Sequence, residues 1–262
     1  MQQKTRIGFI GFGNMAGSMA RGLVEQGGYD SSLIWAKAGD FEKLKKRADL
    51  LGIHPVQSVE ELIQNVDLVI VAVKPYMVEG VLMPVLEELQ GKPVVSVAAG
   101  LGFDAYEEIL KPGTHHLSTI PNVPIAQGEG IIVCEDRHSL TEEEWQMFAE
   151  IFSPVALIES VDSAHLSIAG TVAGCSPAFT AMYIEALGDA GVKHGLTRPV
   201  AYRLAAQMIC GTGKMYLETG MHPGAIKDLV CSPGGTTIRG VASLEKTGFR
   251  GAVMEAIDEI ED

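Results

Sequence analysis

Near its start the chain runs Arg6-Ile7-Gly8-Phe9-Ile10-Gly11-Phe12-Gly13-Asn14-Met15-Ala16-Gly17, and no other stretch restricts its fold so strongly. An apolar strand pattern leads straight into Gly11-x-Gly13-x-x-Ala16, and the helical spacing of Met19, Ala20, Leu23 and Val24 follows. In a strand–turn–helix unit, Gly11 makes the tight turn, Gly13 leaves room for a pyrophosphate, and Ala16 lets helix and strand pack closely. The helix N-terminus then attracts phosphate. A glycine triplet alone is weak evidence. Flanked by a legible strand and a legible helix, it predicts a dinucleotide-binding βαβ unit.

The next 140 residues alternate strand and helix patterns. Leu33-Ile34-Trp35-Ala36 reads as the second strand, and residues 40–51 as a charged helix. Residues 66–73 form an almost continuous apolar run, as expected of a strand covered on both faces. Residues 76–89 read as a crossover helix, bent near Pro84, and 93–98, 115–120 and 130–134 as further strands. Thr141 and Glu144 have the spacing of a capping box, and 151–158 read as a short strand or connector. After that the chain is rich in helix formers and small residues. The expectation is a Rossmann-like doubly wound α/β domain over residues 1–160, then an all-α domain over 161–262. The helices of the second part are expected over 163–175, 176–194, 197–221, 223–230 and 243–261, with Gly211-Thr212-Gly213 interrupting or tightly packing the third.

Ligands of such sheets gather at the C-terminal strand ends. Four segments are therefore expected there: 11–17, Val73-Lys74-Pro75, Ala98-Ala99-Gly100 and Pro121-Asn122-Val123-Pro124. Asn122 could orient an amide or water, or serve only in a turn. The second strand ends in Lys37-Ala38-Gly39, where an NAD-preferring site would place an acid. Lys37 reads either as a 2′-phosphate contact or as a solvated lysine. NADPH is favoured over NADH, which remains an alternative cofactor.

The formal charge is −13, with 33 acidic residues against 20 Lys and Arg, which disfavours a nucleic-acid partner. Cys134, Cys175, Cys210 and Cys231 are too far apart to form a metal motif, and buried thiols are the expectation. The polar opening does not read as a signal peptide and no stretch reads as a membrane span, so a cytoplasmic location and no membrane partner are expected.

Lys227-Asp228-Leu229-Val230-Cys231-Ser232-Pro233-Gly234-Gly235-Thr236-Thr237 is the second informative stretch. Its glycines permit a backbone that exposes several N–H groups together, a nest suited to a carboxylate, and the threonines add hydroxyls. Taken alone it could equally be a capped turn between helices.

With these residues in view, the chain resembles the pyrroline-5-carboxylate reductases. The resemblance rests on Gly8-Phe-Ile-Gly-Phe-Gly-Asn-Met15, Ala72-Val-Lys-Pro75, Ala99-Gly100, Pro121-Asn-Val-Pro124 and Gly174-Cys-Ser-Pro-Ala-Phe179. It continues through His222-Pro223, Lys227-Asp228, Ser232-Pro-Gly-Gly-Thr-Thr-Ile238, Leu244-Glu245 and Gly248-Phe249-Arg250. It implies reduction of the cyclic imine 1-pyrroline-5-carboxylate to proline, the last step of proline biosynthesis, with a nicotinamide cofactor. It implies a helical domain intertwined in a homodimer, dimers assembling further, commonly into a decamer, and an active site completed by the partner subunit. Carried onto this chain, substrate-carboxylate contacts fall at Ser232, Gly234, Gly235 and Thr236, and Thr237 lies near the imine nitrogen as the catalytic candidate. Cofactor contacts fall at Gly11, Gly13, Asn14, Met15, Ala16, Lys37, Ser58, Ala72, Lys74, Pro75, Ala99 and Asn122. The chain departs from the family's pattern at Cys175-Ser176, Phe179, Tyr76 and Ser58, which bears on pocket shape and on the exact substrate.

Hydride chemistry belongs to the cofactor, so the protein needs mainly to orient and to manage charge. Thr237 is expected to orient the nitrogen or relay a proton through water, since an alkyl hydroxyl is a poor free acid. No metal is called for. The alternatives are a reductase of a related cyclic imino acid, a hydroxyacid dehydrogenase, for which no Lys-x-x-x-Asn helix motif is clear, and a non-catalytic dinucleotide-binding regulator. The late loop argues against the last.

Overall fold

A computed structural model describes residues 5–262, and the polar lead at residues 1–4 lies outside the described residues. One sheet is built from β1 (Ile7–Ile10), β2 (Ile34–Lys37), β3 (His54–Pro55), β4 (Leu68–Val71), β5 (Val94–Ser96), β6 (His116–Pro121), β7 (Gly130–Glu135) and β8 (Ala156–Val161). Its order is β3-β2-β1-β4-β5-β6-β7-β8. Neighbours pair in parallel except β6 with β7, which is antiparallel. The sheet is flanked by α1 (Asn14–Arg21), α2 (Phe41–Leu51), α3 (Val59–Asn65), α4 (Val78–Leu82), α5 (Phe103–Ile109), α6 (Glu142–Phe152) and α7 (Leu166–Gly174).

The central strands explain the pattern. Every residue of β1 and β4 is buried, as two-faced coverage by helices requires of Ile-Gly-Phe-Ile and Leu-Val-Ile-Val. Arg6 fastens the start of β1 to that of β4, its Nε donating to Asp67 Oδ2 at 3.0 Å and its Nη2 to Oδ1 at 2.6 Å. That guanidinium holds the Asp67 carboxyl below its ordinary pKa. Strand order reverses between β1 and β4, and an open sheet splits into a crevice at such a point.

Local departures from the sequence expectation have local causes. β3 was not anticipated: it is a two-residue edge, held where the His54 ring stacks on Trp35 at 4.7 Å. The expected helix over 76–89 is broken into a tight turn at Pro75–Met77, the short α4, and another tight turn at Met83–Val85, because Pro84 has no N–H to continue the ladder. Thr141 and Glu144 do form a reciprocal capping box, but α6 runs on to Phe152. Ile151 and Phe152 are its last buried turn, and strand geometry resumes only at Ala156.

The chain divides into two compact units, Met1–Cys175 and Ser176–Asp262. α7 belongs to the first because it packs on β6: a Cβ on Gly170 would lie 3.3 Å from Ile120 Cγ2 and overlap its Cδ1. The second unit is helical, with α8 (Ser176–Lys193), α9 (Arg198–Thr219), α10 (Pro223–Leu229), α11 (Thr236–Lys246) and α12 (Phe249–Glu261). α8 meets α9 where Gly188 abuts the Tyr202 ring and Gly191 abuts Ala201. α9 is continuous through Gly211-Thr212-Gly213, and a Cβ added at either glycine would meet nothing within 4 Å. These glycines do not interrupt the helix, and none of the described residues packs against them.

Candidate functional site

The crevice at the β1–β4 switch is a cavity of about 660 Å³. Its wall collects the glycine loop (Gly11 to Met15), the β4 end (Ala72 to Pro75), the β5 end (Val97 to Ala99) and Val123, so all four expected segments reach it. Gly11 has φ +95°, and its N–H donates to the Lys37 carbonyl at 2.8 Å. A Cβ there would sit 2.6 Å from the Ala72 carbonyl oxygen, so only glycine can hold this turn against β4. Gly13 differs: a Cβ would meet no atom within 4 Å, so the bare position opens onto free space at the start of α1. That start carries neither a side-chain cap nor an acid in its first turn, leaving its amides available to an anion. An open cradle, free amides and nearby cations suit a dinucleotide pyrophosphate.

Buried hydrogen bonds stiffen the β5 end. Ser96 Oγ accepts from the Ala98 N–H at 3.1 Å and shares a bond with the Tyr106 hydroxyl. Tyr106 is fully buried, and desolvation pushes its pKa up to about 12, so it stays a neutral phenol. The loop after β6 is anchored at the end of α1 by the C-cap Gly22, whose missing side chain lets the Ile125 carbonyl approach.

The remaining sequence candidates lie elsewhere. Ala16 is buried on the inner face of α1. Asn122 is buried and both ends of its amide are engaged: Nδ2 donates to the Ala173 carbonyl at 3.0 Å, and Oδ1 accepts from the Ile131 N–H at 2.8 Å. Lys37 and Ser58 line a separate cleft of about 300 Å³ with Glu60. Ser58 caps α3 there by accepting from the Glu61 N–H, and the charge of Lys37 helps to lower the Glu60 pKa behind larger hydrogen-bond effects.

Sequence reasoning missed Lys43, Arg47 and Met77, which also line the larger cavity. Lys43 and Arg47 stand four residues apart on α2, a spacing that places both on one face. In a helix so rich in charge they look like solvated residues. Only the helix axis shows which way they point.

In the helical unit the late motif forms the turn between α10 and α11. Gly234 has φ +68°, and the Gly235 N–H closes the turn on the Ser232 carbonyl at 3.0 Å. A Cβ at Gly235 would overlap the Ser232 hydroxyl. Gly235 is the N-cap of α11, with no side-chain cap and no acid in the first turn. The first amides of an 11-residue helix therefore stand unanswered beside the exposed Thr236 and Thr237. Just upstream, Lys227 Nζ pairs with Asp228 Oδ1 at 2.9 Å, which holds the ammonium above its ordinary pKa and keeps it charged.

Comparisons with known proteins cover both units. Residues 163–262 match the family model described as pyrroline-5-carboxylate reductase dimerisation. Residues 6–100 match that of NADP oxidoreductase, coenzyme F420-dependent. A pyrroline-5-carboxylate reductase of Treponema pallidum is 44% identical over 255 residues, covering 96% of this chain and 97% of that protein. The Escherichia coli pyrroline-5-carboxylate reductase is 38% identical, covering 96% and 94%. Among solved structures, the Plasmodium falciparum pyrroline carboxylate reductase with NADP bound superposes with a TM-score of 0.87 at 28% identity, covering 99% and 97%.

Proposed function

The chain belongs to the pyrroline-5-carboxylate reductase family, and from that premise we propose how its residues divide the work of an enzyme that reduces 1-pyrroline-5-carboxylate to proline with NAD(P)H. The cavity at the β1–β4 switch takes the cofactor, and NADPH is the preferred form. Gly11 and Gly13 shape the cradle, and Asn14, Met15, Ala72, Lys74, Pro75 and Ala99 line it. Ala16 and Asn122 support it from behind. Lys37 and Ser58 border the neighbouring cleft. Once bound, the cofactor supplies the hydride.

The imine is held by the late turn. The observation that carries this reading is the uncapped, acid-free start of α11, opened by two glycines at the end of a Ser-Pro-Gly-Gly turn. Amides at Gly234 and Thr236, with the Ser232 hydroxyl, take the carboxylate, and Gly235, whose own N–H closes the turn, contacts it through its bare backbone. Thr237 orients the ring nitrogen. An iminium that binds already protonated needs no strong acid from the protein, and Thr237 supplies geometry rather than a shifted pKa. Residues 1–160 thus serve the cofactor, and 161–262 serve substrate and pairing. The chain assembles at least as a dimer through its dimerisation region, and further stacking into a decamer is the fuller proposal.

The test is steady-state oxidation of NADPH and NADH with 1-pyrroline-5-carboxylate and its six-membered homologue. The expected result is imine-dependent turnover, fastest with the five-membered ring and NADPH, with proline as product. Nucleotide binding without turnover of any cyclic imine would favour the regulator instead.

A further inference from the structure

The cofactor cavity carries an unassigned charge arrangement. Its ionisable lining consists of Asp40, Lys43, Arg47 and Lys74. Asp40 follows the tip of β2, where an acid would bind the ribose diol of NADH. Here its Oδ1 accepts from the Lys43 N–H at 3.0 Å, so the carboxylate serves as the N-cap of α2. Lys43 and Arg47 then stand one turn apart on the same wall of the cavity. Arg47 is also held in place: its Nη1 donates to the Phe12 carbonyl at 3.2 Å, fixing the planar guanidinium beside the glycine loop. On a chain of net charge −13, two cations on one cavity wall are a local attraction for a dianion. Lys37, the lysine at the strand tip itself, faces the smaller cleft and Glu60.

We propose that Lys43 and Arg47 bind the 2′-phosphate of NADPH and are the residues that make this chain prefer it to NADH. The inference rests on the reading of this cavity as the cofactor site and deepens it. Lys43 supplies a mobile point charge, and Arg47 a pre-oriented fork. Asp40 still borders the cavity, but one of its carboxylate oxygens is committed to capping the helix, which weakens it as a competing ribose contact.

The experiment measures calorimetric binding of 2′,5′-ADP and 5′-AMP to the intact enzyme. It compares wild type with Lys43→Ala, Arg47→Ala, the double variant, Lys37→Ala, and Lys45→Ala, the last of which removes an equal charge from an exposed position on the same helix. The NADPH-to-NADH ratio of kcat/KM is then taken for each. Each cavity variant is expected to weaken 2′,5′-ADP by roughly 10- to 100-fold. Binding of 5′-AMP should hold, the cofactor ratio should fall in parallel, and Lys45→Ala should behave as wild type. Unchanged 2′,5′-ADP affinity would overturn the proposal, as would equal weakening of both nucleotides. So would a ratio that falls only in Lys37→Ala. A wild-type enzyme that binds neither nucleotide would instead refute the cofactor cavity itself, a result separable from the others.

Discussion

The two units of this chain solve the burial problem in opposite ways. The first encloses its apolar residues: Phe9, Ile10, Ile34, Leu62, Val69, Phe148 and Phe152 are all fully sequestered within the described sheet and its helices. In the second, the buried residues are Gly188, Ala201 and Ala205, while Met182, Leu204, Met215, Leu217, Val230 and Met254 lie open. Apolar faces of this extent on a folded chain mark an interaction surface. Thr212, Gly213, Tyr216, Leu217, Pro223 and Ile226 even line an apolar hollow of about 440 Å³. The lesson is that one sequence can carry a complete core and half of another. The half is completed by pairing, in keeping with the match of residues 163–262 to a dimerisation model.

Variants can break this comparison, and the largest effect is expected at Leu217, which is 69% exposed. On a true surface, Leu217→Asp would change stability by less than about 0.5 kcal/mol. At a pairing face it should cost about 2–4 kcal/mol of association. Light scattering should show dissociation, with a melting temperature that depends on protein concentration. A dimer of normal stability would place this face in solvent.

Asn122→Ala probes the closed unit. It leaves the Ile131 N–H and the Ala173 carbonyl unanswered in a buried site, which should cost about 2–3 kcal/mol. Chemical denaturation should show this loss of stability at every protein concentration, in contrast to Leu217→Asp. A loss that diluted away would blur the distinction between the units.

Thr237→Val nearly conserves volume and deletes one hydroxyl. Catalytic efficiency with 1-pyrroline-5-carboxylate should fall by the equivalent of about 1–3 kcal/mol, with NADPH affinity near normal. The melting temperature should hold, because Gly235, not Thr237, is the N-cap of α11. Full activity would remove Thr237 from the reaction centre.

The smallest effect is expected from Asp67→Asn. The pair with Arg6 is partly solvated and contributes less than about 1 kcal/mol. The folded pKa of Asp67 is lowered, so its contribution is present in full above the ordinary carboxylate range and is lost as pH falls through that lowered value. Wild type and variant should therefore differ in stability near neutrality and converge in acid. A gap that widened in acid would contradict this sign.

The sequence showed most clearly those features whose cause is local. Gly11 announces a turn because no side chain can stand there, Gly13 announces an opening that a side chain would fill, and Thr141 and Glu144 specify a cap within one turn of helix. Features set by direction in space were less legible. Asn122 reads as a polar loop residue, yet both ends of its amide point inward to Ile131 and Ala173. Lys43 and Arg47 are hidden among the other charges of α2, and Lys37 attracts attention by standing at a strand tip that faces a different cleft. The glycines of α9 read as a break or a tight contact because the sequence does not say whether a missing side chain serves a neighbour in the same chain or in another copy.

The most direct test joins the reaction to the contrast between the units. Consumption of NADPH with 1-pyrroline-5-carboxylate would be measured per subunit across a dilution series, with the mass of the assembly followed in parallel. The prediction is imine-dependent turnover that falls as the dimer dissociates, and returns when the protein is concentrated. A stable monomer with full activity would contradict the paired helical unit, and a stable dimer with no imine-dependent turnover would contradict the reaction.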